Sequence, residues 1–305
     1  MFHHQMANNV IYQKYVNSFS LDTLNVKRLE QIPFLPIRFF KTHEVKSGDW
    51  QSDIVFESSG TTGQVNSRHF VRDLRFYKEV STHYFERCYG KLSNTVILAL
   101  LPSYLERQNA SLVCMIDYFI QQTSSKFSGF YLYNVDDLMQ KINDLRSSSC
   151  NILLFGVTFA LLDFAEKFKN ADLGHVTIIE TGGMKGRRKE MIREEVHTIL
   201  QENLSPKQIQ SEYGMTELMS QAYAEDGIHF SPPPWFRVLI RDLNDPFSPP
   251  ISGRSGGINI IDLANLDTCA FIETEDIGTK FTDNTFKVLG RSDNSEVRGC
   301  NLMVY

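Results

Sequence analysis

A run of six small residues is the first candidate for chemistry in this chain. It consists of Ser58, Ser59, Gly60, Thr61, Thr62 and Gly63. The two glycines let the backbone turn so that consecutive N–H groups converge on one point, and the hydroxyl groups add further donors. Such a loop fits the oxygen atoms of a phosphate group. It is not a Walker loop, because the Gly-Lys-Ser/Thr ending is absent, and an ordinary Ser/Gly turn is the plain alternative.

A second candidate combines an aromatic ring, a hydroxyl and a carboxylate. Tyr213 and Gly214 begin it, and Thr216 and Glu217 end it. We expect Tyr213 to stack on adenine, Thr216 to bond a phosphate oxygen and Glu217 to hold Mg²⁺. Magnesium takes one or two protein carboxylates and completes its shell with phosphate oxygens and water. A strand end followed by a glycine turn is the alternative, but beside the first run the pattern predicts a site for ATP with magnesium.

An alternation of strands and helices must position both groups. From about residue 54 to 225, short apolar runs alternate with amphipathic helical patterns, which predicts a mainly parallel sheet with helices on both faces. The strand Ile54–Phe56 leads into the glycine loop, and the strand Lys207–Ser211 leads to Tyr213.

The texture of the sequence changes after about residue 227. Short apolar–polar strands there are separated by turns rich in Pro, Gly, Ser and Asp, which predicts a smaller antiparallel β subdomain. We therefore expect an α/β core with an N-terminal helical segment over residues 1–226 and a β-rich subdomain over residues 227–305.

Composition restricts the classes of partner and location. A net charge of −5 gives no reason to expect nucleic acid or an anionic membrane surface. The five cysteines are odd in number and lack metal-ligand spacing, which indicates reduced thiols in a cytoplasm. No signal-peptide pattern is present, and the apolar runs are too short for a membrane span. We expect a cytoplasmic protein.

In order along the chain, these segments resemble the signature motifs of the adenylate-forming superfamily, which contains acyl-CoA synthetases, adenylation domains and luciferases. Gly182 and Gly183 resemble its glycine pair beside the carboxylate substrate and adenine. Asp276 resembles the Asp that grips the ribose hydroxyls, although Glu275 replaces the usual Gly, and Arg291 resembles a hinge residue near ribose and phosphate. The resemblance implies the fold of the large N-terminal domain of these enzymes, with ATP and Mg²⁺ as cofactors.

Two departures from the superfamily pattern are informative. The usual Pro-Lys-Gly after the phosphate loop is absent, and Arg68 is a candidate for the missing charge, with a surface position as the simpler interpretation. Superfamily members also continue past the hinge into a lid domain with a lysine that orients the carboxylate, whereas few residues follow Arg291 here. Lys185, Arg187 and Arg188 are candidates for that lysine, although a solvated helix face is the favoured alternative.

A chain of this kind looks most like the LuxE-type acyl-protein synthetases. The segment Ile32–Pro36 with Phe39, Phe40 and Lys41 resembles that family's N-terminal segment, and Arg298-Gly299-Cys300 resembles its C-terminal cysteine region. The resemblance implies that a fatty carboxylate attacks the α-phosphate of ATP to give acyl-AMP and pyrophosphate. The Cys300 thiolate then displaces AMP, and the acyl group passes to a partner such as an acyl-protein reductase or a carrier.

Other interpretations stay open. Cys300 is also compatible with a small buried residue in a last strand. A ligase that passes acyl-AMP to CoA or a carrier thiol would leave Cys300 without a role. A non-catalytic nucleotide-binding subunit is the third possibility.

Overall fold

The computed structural model describes residues 1–19, 23–58, 65–102, 108–182, 191–243 and 255–292. The α-helices described are α1 (Phe2–Asn8), α2 (Val10–Asn17), α3 (Phe39–Thr42), α4 (Leu74–Tyr89), α5 (Ser111–Gln122), α6 (Val135–Asp144), α7 (Thr158–Lys167) and α8 (Arg193–Leu204). The strands described are β1 (Leu35–Pro36), β2 (Ile54–Glu57), β3 (Arg68–Val71), β4 (Thr95–Leu100), β5 (Gly129–Phe130), β6 (Asn151–Val157), β7 (Val176–Thr181), β8 (Gln208–Tyr213), β9 (Ala222–Ala224), β10 (Phe236–Arg241), β11 (Gly256–Asp262), β12 (Phe271–Lys280) and β13 (Phe286–Arg291).

The central sheet contains six strands in the order β5-β4-β6-β7-β8-β9. All neighbours in it are parallel except β9, which runs antiparallel to β8. Every residue of β4 and β7 is buried, because helices cover both faces of a parallel sheet, and the strands are mostly apolar for the same reason. The predicted α/β fold with a mainly parallel sheet is confirmed.

Helix α4 shows how local sequence sets the ends of an element. The Asp73 carboxylate accepts a hydrogen bond from the backbone N–H of Phe76, which satisfies one unpaired donor of the first turn. Gly90 ends the helix with a φ of +83°, a conformation that favours glycine. On the buried face, Phe85 packs on Phe119 of α5 with ring centroids 4.6 Å apart. A local sequence signal thus sets each end of α4.

A second sheet contains the later strands. Its order is β1-β12-β11-β10, and β13 pairs with the other part of β12. The pairs among β10 to β13 are antiparallel, as the alternating pattern after residue 227 predicts. Strands β2 and β3 form a separate antiparallel pair that flanks the glycine loop.

The N-terminal segment packs with the second sheet. Its buried residues Tyr12, Phe34 and Phe40 belong to the same hydrophobic cluster as Ile260 and Phe271. Strand β1 runs parallel to β12, although the two are far apart in sequence. The expected division at residue 226 placed this segment with the α/β core, and that division stays a prediction.

Candidate functional site

The carboxyl ends of β7 and β8 bring two of the predicted motifs together. Thr181 lies opposite Glu212 in the register of these parallel strands. Gly182 and Tyr213, each one residue further on, are therefore neighbours at one edge of the sheet. Gly182 has a φ of +75°, and its carbonyl oxygen accepts a hydrogen bond from the Thr158 hydroxyl at 2.7 Å. The glycine is required because other residues rarely adopt this conformation.

Two residues from different parts of the sequence bond the Asp276 carboxylate. The Tyr213 hydroxyl donates to Oδ2 at 2.7 Å, and the Arg291 Nε donates to Oδ1 at 3.3 Å. Asp276 lies opposite Arg291 in the register of β12 and β13. Burial and the Asp276 charge raise the pKa of Tyr213 well above its usual value, so the hydroxyl keeps its proton and acts as the donor.

Aromatic residues hold the Tyr213 ring. Its centroid lies 5.3 Å from that of Phe286 and 5.7 Å from that of Phe230. The ring is 8% exposed. This packing fixes the position of the hydroxyl toward Asp276, and the stacking of Tyr213 on adenine stays a prediction.

Glu217 lies beside the base of the glycine loop. It is 5% exposed, and burial raises the pKa of its carboxyl. A hydrogen bond from the Ser67 hydroxyl and the positive charges of Arg291 and Lys41 have the opposite, smaller effect on this pKa. The backbone N–H of Ser67 donates to the Ser58 hydroxyl at 2.9 Å, and the backbone N–H of Ser58 donates to the Ser67 carbonyl at 3.1 Å. Ser58 and Ser67 thus close the loop where Glu217 lies.

Fully buried polar residues brace the turn that contains Thr216 and Glu217. The Thr216 carbonyl only accepts, so His69 Nδ1 donates to it, at 2.8 Å, and the Asn265 amide donates to the Glu217 carbonyl at 2.7 Å. His69 Nε2 lies 3.0 Å from Asn265 Oδ1 and 3.1 Å from the Thr268 hydroxyl. Burial lowers the pKa of His69 to about 4, so its ring is neutral at pH 7.

The Asp262 carboxylate binds the residues that follow this turn. It accepts hydrogen bonds from the backbone N–H groups of Met219 and Ser220, both at 3.0 Å, and from the Ser220 hydroxyl and the Ala264 N–H. Burial raises the pKa of Asp262 to about 6, and these four bonds oppose the increase. The indole N–H of Trp235 donates to the same Ser220 hydroxyl at 3.0 Å.

The sequence alone did not identify the bracing residues. His69 lies in β3 and Asp262 lies at the end of β11, and neither belongs to a recognisable sequence motif. The sequence signal for them is weak, because their partners lie far away in sequence. Trp235 also lines a cavity of about 660 Å³ with Phe76, Val80 and Leu263.

Two buried carboxylates stand behind the sheet edge. The Thr158 hydroxyl oxygen lies within hydrogen-bond distance of Glu180 on β7, and the Thr181 hydroxyl donates to Glu212 on β8. Burial raises the pKa of Glu212 to about 7, against the Thr181 bond and with the help of the Glu180 charge. Glu212 also explains Gly214, because a side chain there would collide with the Glu212 carboxylate.

Several predicted site residues lie outside the described part of the chain. They are Ser59, Gly60, Thr61, Thr62, Gly63, Gly183 and Cys300, together with the lysine candidates Lys185, Arg187 and Arg188. Arg68 is described, and it is exposed with its guanidinium over the Phe70 ring at 5.6 Å.

Glu217 offers the carboxylate that the sequence assigns to magnesium. Within the described ranges, no group of three or more His, Cys, Asp or Glu side chains can hold a metal ion. Mg²⁺ takes one or two protein carboxylates and completes its shell with phosphate oxygens and water. A single carboxylate such as Glu217 suits this ion, and its binding there stays a prediction.

Comparison with protein families gives one match over the whole chain. The model of the family described as "Acyl-protein synthetase, LuxE" matches residues 1–305. A sequence comparison with curated proteins gives no match. No helix in the described ranges is long and apolar enough to cross a membrane.

Solved structures of adenylate-forming enzymes share the fold. ATP-bound MatB from Rhodopseudomonas palustris has a TM-score of 0.57 and 14% identity over 80% of this chain and 49% of its own. The AMP complex of O-succinylbenzoate coenzyme A synthetase from Bacillus subtilis has a TM-score of 0.54 and 17% identity, over 78% of this chain and 49% of its own. 2-Hydroxyisobutyryl-CoA ligase, in complex with 2-HIB-AMP and CoA, has a TM-score of 0.69 and 12% identity, over 96% of this chain and 66% of its own. The chain thus spans about half the length of the first two.

Proposed function

The chain belongs to the LuxE acyl-protein synthetase family, and on this premise we propose that it activates a carboxylic acid with ATP to form acyl-AMP. One observation carries the proposal. Tyr213 and Arg291 both bond the Asp276 carboxylate, and Glu217 lies beside Ser67 within reach of the Arg291 charge. This meeting of residues that are distant in sequence supports the proposed contacts with the base, the ribose and the phosphates.

Each residue of the site has a proposed task in the first step. Asp276 and Arg291 bind the ribose hydroxyls, Thr216 bonds a phosphate oxygen, and the N–H and hydroxyl groups of Ser58–Gly63 cradle the phosphates. The pair Gly182 and Gly183 lies beside the acid. An oxygen of the acid attacks the α-phosphorus, the bond to pyrophosphate breaks, and acyl-AMP forms. Mg²⁺, held by Glu217, neutralises phosphate charge when bound.

The second proposed step transfers the acyl group to a protein thiol. The Cys300 thiolate attacks the acyl carbon, the bond to the AMP oxygen breaks, and AMP leaves. Arg298 lies two residues away in sequence, and a nearby cation favours the thiolate, which is the reactive form. We propose a fatty acid as the substrate and a protein such as an acyl-protein reductase as the final acceptor, in the cytoplasm.

A ligase that uses CoA or a carrier thiol is the second candidate. It is favoured by the names of the structural neighbours, two of which are a coenzyme A synthetase and a CoA ligase. In that case Cys300 takes no part. A non-catalytic nucleotide-binding subunit remains the third candidate.

Carboxylate-dependent exchange of pyrophosphate into ATP tests the first step. We expect exchange with ATP, Mg²⁺ and a panel of acids of increasing chain length. Each additional buried CH₂ is worth about 0.8 kcal/mol, or roughly fourfold in kcat/KM. No exchange with any acid would favour the non-catalytic candidate, and a flat chain-length profile would argue against fatty acids.

Intact-mass measurement tests the second step. After incubation with ATP, Mg²⁺ and an acid, we expect one acyl adduct that hydroxylamine removes. The Cys300→Ser variant should keep exchange and lose the adduct. An adduct that persists in this variant would exclude Cys300 as the acceptor, and an adduct seen only on added CoA would favour the ligase.

A further inference from the structure

The segment from Leu35 to Thr42 lies along the proposed nucleotide site. Leu35 pairs with Ile272 in the parallel contact of β1 with β12. The backbone N–H of Ile37 donates to the Glu273 carbonyl at 2.9 Å, and the Arg38 Nε donates to the Glu275 carboxylate at 2.5 Å. Glu275 immediately precedes Asp276. The first half of the segment therefore follows the strand that contains the proposed ribose-binding residue.

The second half of the segment packs on the strand that leaves the glycine loop. Phe40 is fully buried, and its ring meets the His69 ring edge-on with centroids 6.0 Å apart. His69 in turn donates to the Thr216 carbonyl. Helix α3 is therefore anchored against the turn that contains Thr216 and Glu217.

Lys41 brings a positive charge to this position. It is the residue after Phe40, and its charge lowers the pKa of Glu217, against the larger effect of burial. The same carboxyl accepts a hydrogen bond from Ser67 at the base of the glycine loop. Lys41 thus lies close enough to the predicted metal-binding residue for its charge to act on that carboxyl.

The Lys41 ammonium differs from its neighbours in having no bonding partner. Among the described residues, no side chain or carbonyl forms a hydrogen bond or ion pair with it, although the residue is half-buried. Arg38 is paired with Glu275, and Arg291 with Asp276. Lys46, just beyond α3, donates to the Trp50 carbonyl at 2.6 Å and lies 3.1 Å from Glu44. A half-buried cation without a partner suits an anionic ligand, because the ligand compensates its lost hydration.

We propose that Lys41 binds the β- and γ-phosphates of ATP and stabilises the departing pyrophosphate. It thereby supplies the charge that is absent after the glycine loop, whereas the guanidinium of Arg68 lies over the Phe70 ring. The inference rests on the proposed adenylation. As the bond between the α-phosphorus and the bridging oxygen breaks, negative charge accumulates on pyrophosphate, and a fixed ammonium group stabilises that charge. Lysine is a common phosphate-binding residue for this reason.

The test compares Lys41→Met with Lys46→Met. Both variants remove one positive charge from this part of the chain, so the second controls for the loss of net charge. We expect Lys41→Met to raise the KM for ATP and for pyrophosphate about 10- to 100-fold, the range for a lost charged hydrogen bond. AMP affinity, measured by calorimetry, should change less than about twofold. Lys41→Arg should recover part of the loss, and Lys46→Met should behave as wild type.

The outcomes separate this proposal from the proposed function. If the wild type exchanges pyrophosphate and Lys41→Met matches Lys46→Met, the assignment of Lys41 is wrong and adenylation stands. Equal losses of ATP and AMP affinity would show a structural role for Lys41 and also overturn it. If the wild type binds ATP without exchange, the proposed adenylation is wrong. The assignment of Lys41 then stands only if Lys41→Met lowers the affinity for ATP more than the affinity for AMP. A wild type that binds neither nucleotide overturns both.

Discussion

The Asp276 carboxylate has both oxygens bonded, one to the Tyr213 hydroxyl and one to Arg291. A ribose hydroxyl that binds Asp276 must either replace one of these hydrogen bonds or share a carboxylate oxygen with it. The Tyr213 bond is the shorter of the two and is buried among aromatic rings. It therefore fixes the orientation of the carboxylate before the ligand arrives, and Arg291, which is 70% exposed, can adjust.

Tyr213→Phe should separate this orienting role from stability. The variant loses one hydrogen bond to a charged group, which costs about 1.5–3 kcal/mol in the free energy of unfolding. We expect the KM for ATP to rise about 5- to 10-fold, since the Asp276 carboxylate is then free to rotate. Urea unfolding and exchange kinetics give the two quantities.

Tyr12→Phe is the matched control for that variant. The Tyr12 hydroxyl is also buried and donates to the Pro33 carbonyl at 2.7 Å, in the N-terminal segment. It should lose stability and keep the KM for ATP. A KM that is unchanged in both variants would contradict an orienting role for Tyr213.

His69 gives a pH dependence that can be assigned to one side chain. Burial lowers its pKa to about 4, whereas an unfolded histidine titrates near 6.5. Its contribution to stability is therefore complete above pH 6.5 and is lost as the pH falls through about 4, by about 3 kcal/mol in total. His69→Asn keeps an N–H for the Thr216 carbonyl and should reduce this acid loss.

Urea unfolding between pH 4 and pH 7 checks the assignment. The pKa of His197 is also lowered to about 4 by burial, so the variant should keep a smaller slope of the same sign. His175→Asn is the control, because His175 also bonds a backbone carbonyl, that of Ile142, but lies far from the turn in sequence. Equal slopes in wild type and His69→Asn would refute the assignment.

At the scale of elements, the edge formed by β7 and β8 holds the two glycine-containing motifs in register. Glu180 and Glu212 lie on adjacent strands at this edge, and threonine hydroxyls hold each carboxylate. Burial and the Glu180 charge oppose the ionisation of Glu212. The edge is thus most stable when Glu212 carries a proton.

Glu212→Gln tests this arrangement. Burial raises the pKa of Glu212 to about 7 in the folded state, above about 4.3 for an unfolded Glu. Its stability contribution is present below pH 4 and is lost as the pH rises through 7. The variant imitates the protonated form, so we expect it to be more stable than wild type at pH 8, by about 2–3 kcal/mol, with little difference at pH 4.

Thermal or urea unfolding across this range measures the effect. Glu202→Gln on α8 is a suitable control, because Glu202 is exposed and far from this edge in sequence. A Glu212→Gln variant that is less stable at pH 8 than at pH 4, relative to wild type, would show that the ionised carboxylate is needed.

The sequence predicts elements better than it predicts the contacts between them. The apolar residues of β4 and the helix signals Asp73 and Gly90 are local, and the structure has a buried strand and the two ends of α4 at these positions. The two-residue strand β1 has no such signal, since its pairing depends on a strand far along the chain. The meeting of Tyr213 with Asp276 was anticipated only through the resemblance of both segments to known motifs. The sequence did not identify His69, Asp262 and Asn265, because their role depends on hydrogen bonds with residues far away in the chain.

For the whole molecule, the turn of Thr216 and Glu217 joins the two hydrophobic clusters. Met219 belongs to the cluster of the parallel sheet, and Leu218 belongs to that of the β-rich sheet. Asp262, at the end of β11, bonds the backbone of Met219 and Ser220. A displacement between the two clusters is therefore transmitted to the residues proposed to bind phosphate and magnesium.

The hydrogen bond between Trp235 and Ser220 allows the turn to be followed by tryptophan fluorescence. The chain has two tryptophans, and the indole N–H of Trp235 donates to Ser220, next to the proposed nucleotide site and beside the open cavity. In a Trp50→Phe variant, all indole emission arises from Trp235. Titration with ATP and Mg²⁺ should shift its wavelength or intensity, and Ser220→Ala should abolish most of that response. An emission spectrum that ignores the nucleotide, despite binding shown by calorimetry, would mean that the turn keeps its shape when the ligand enters.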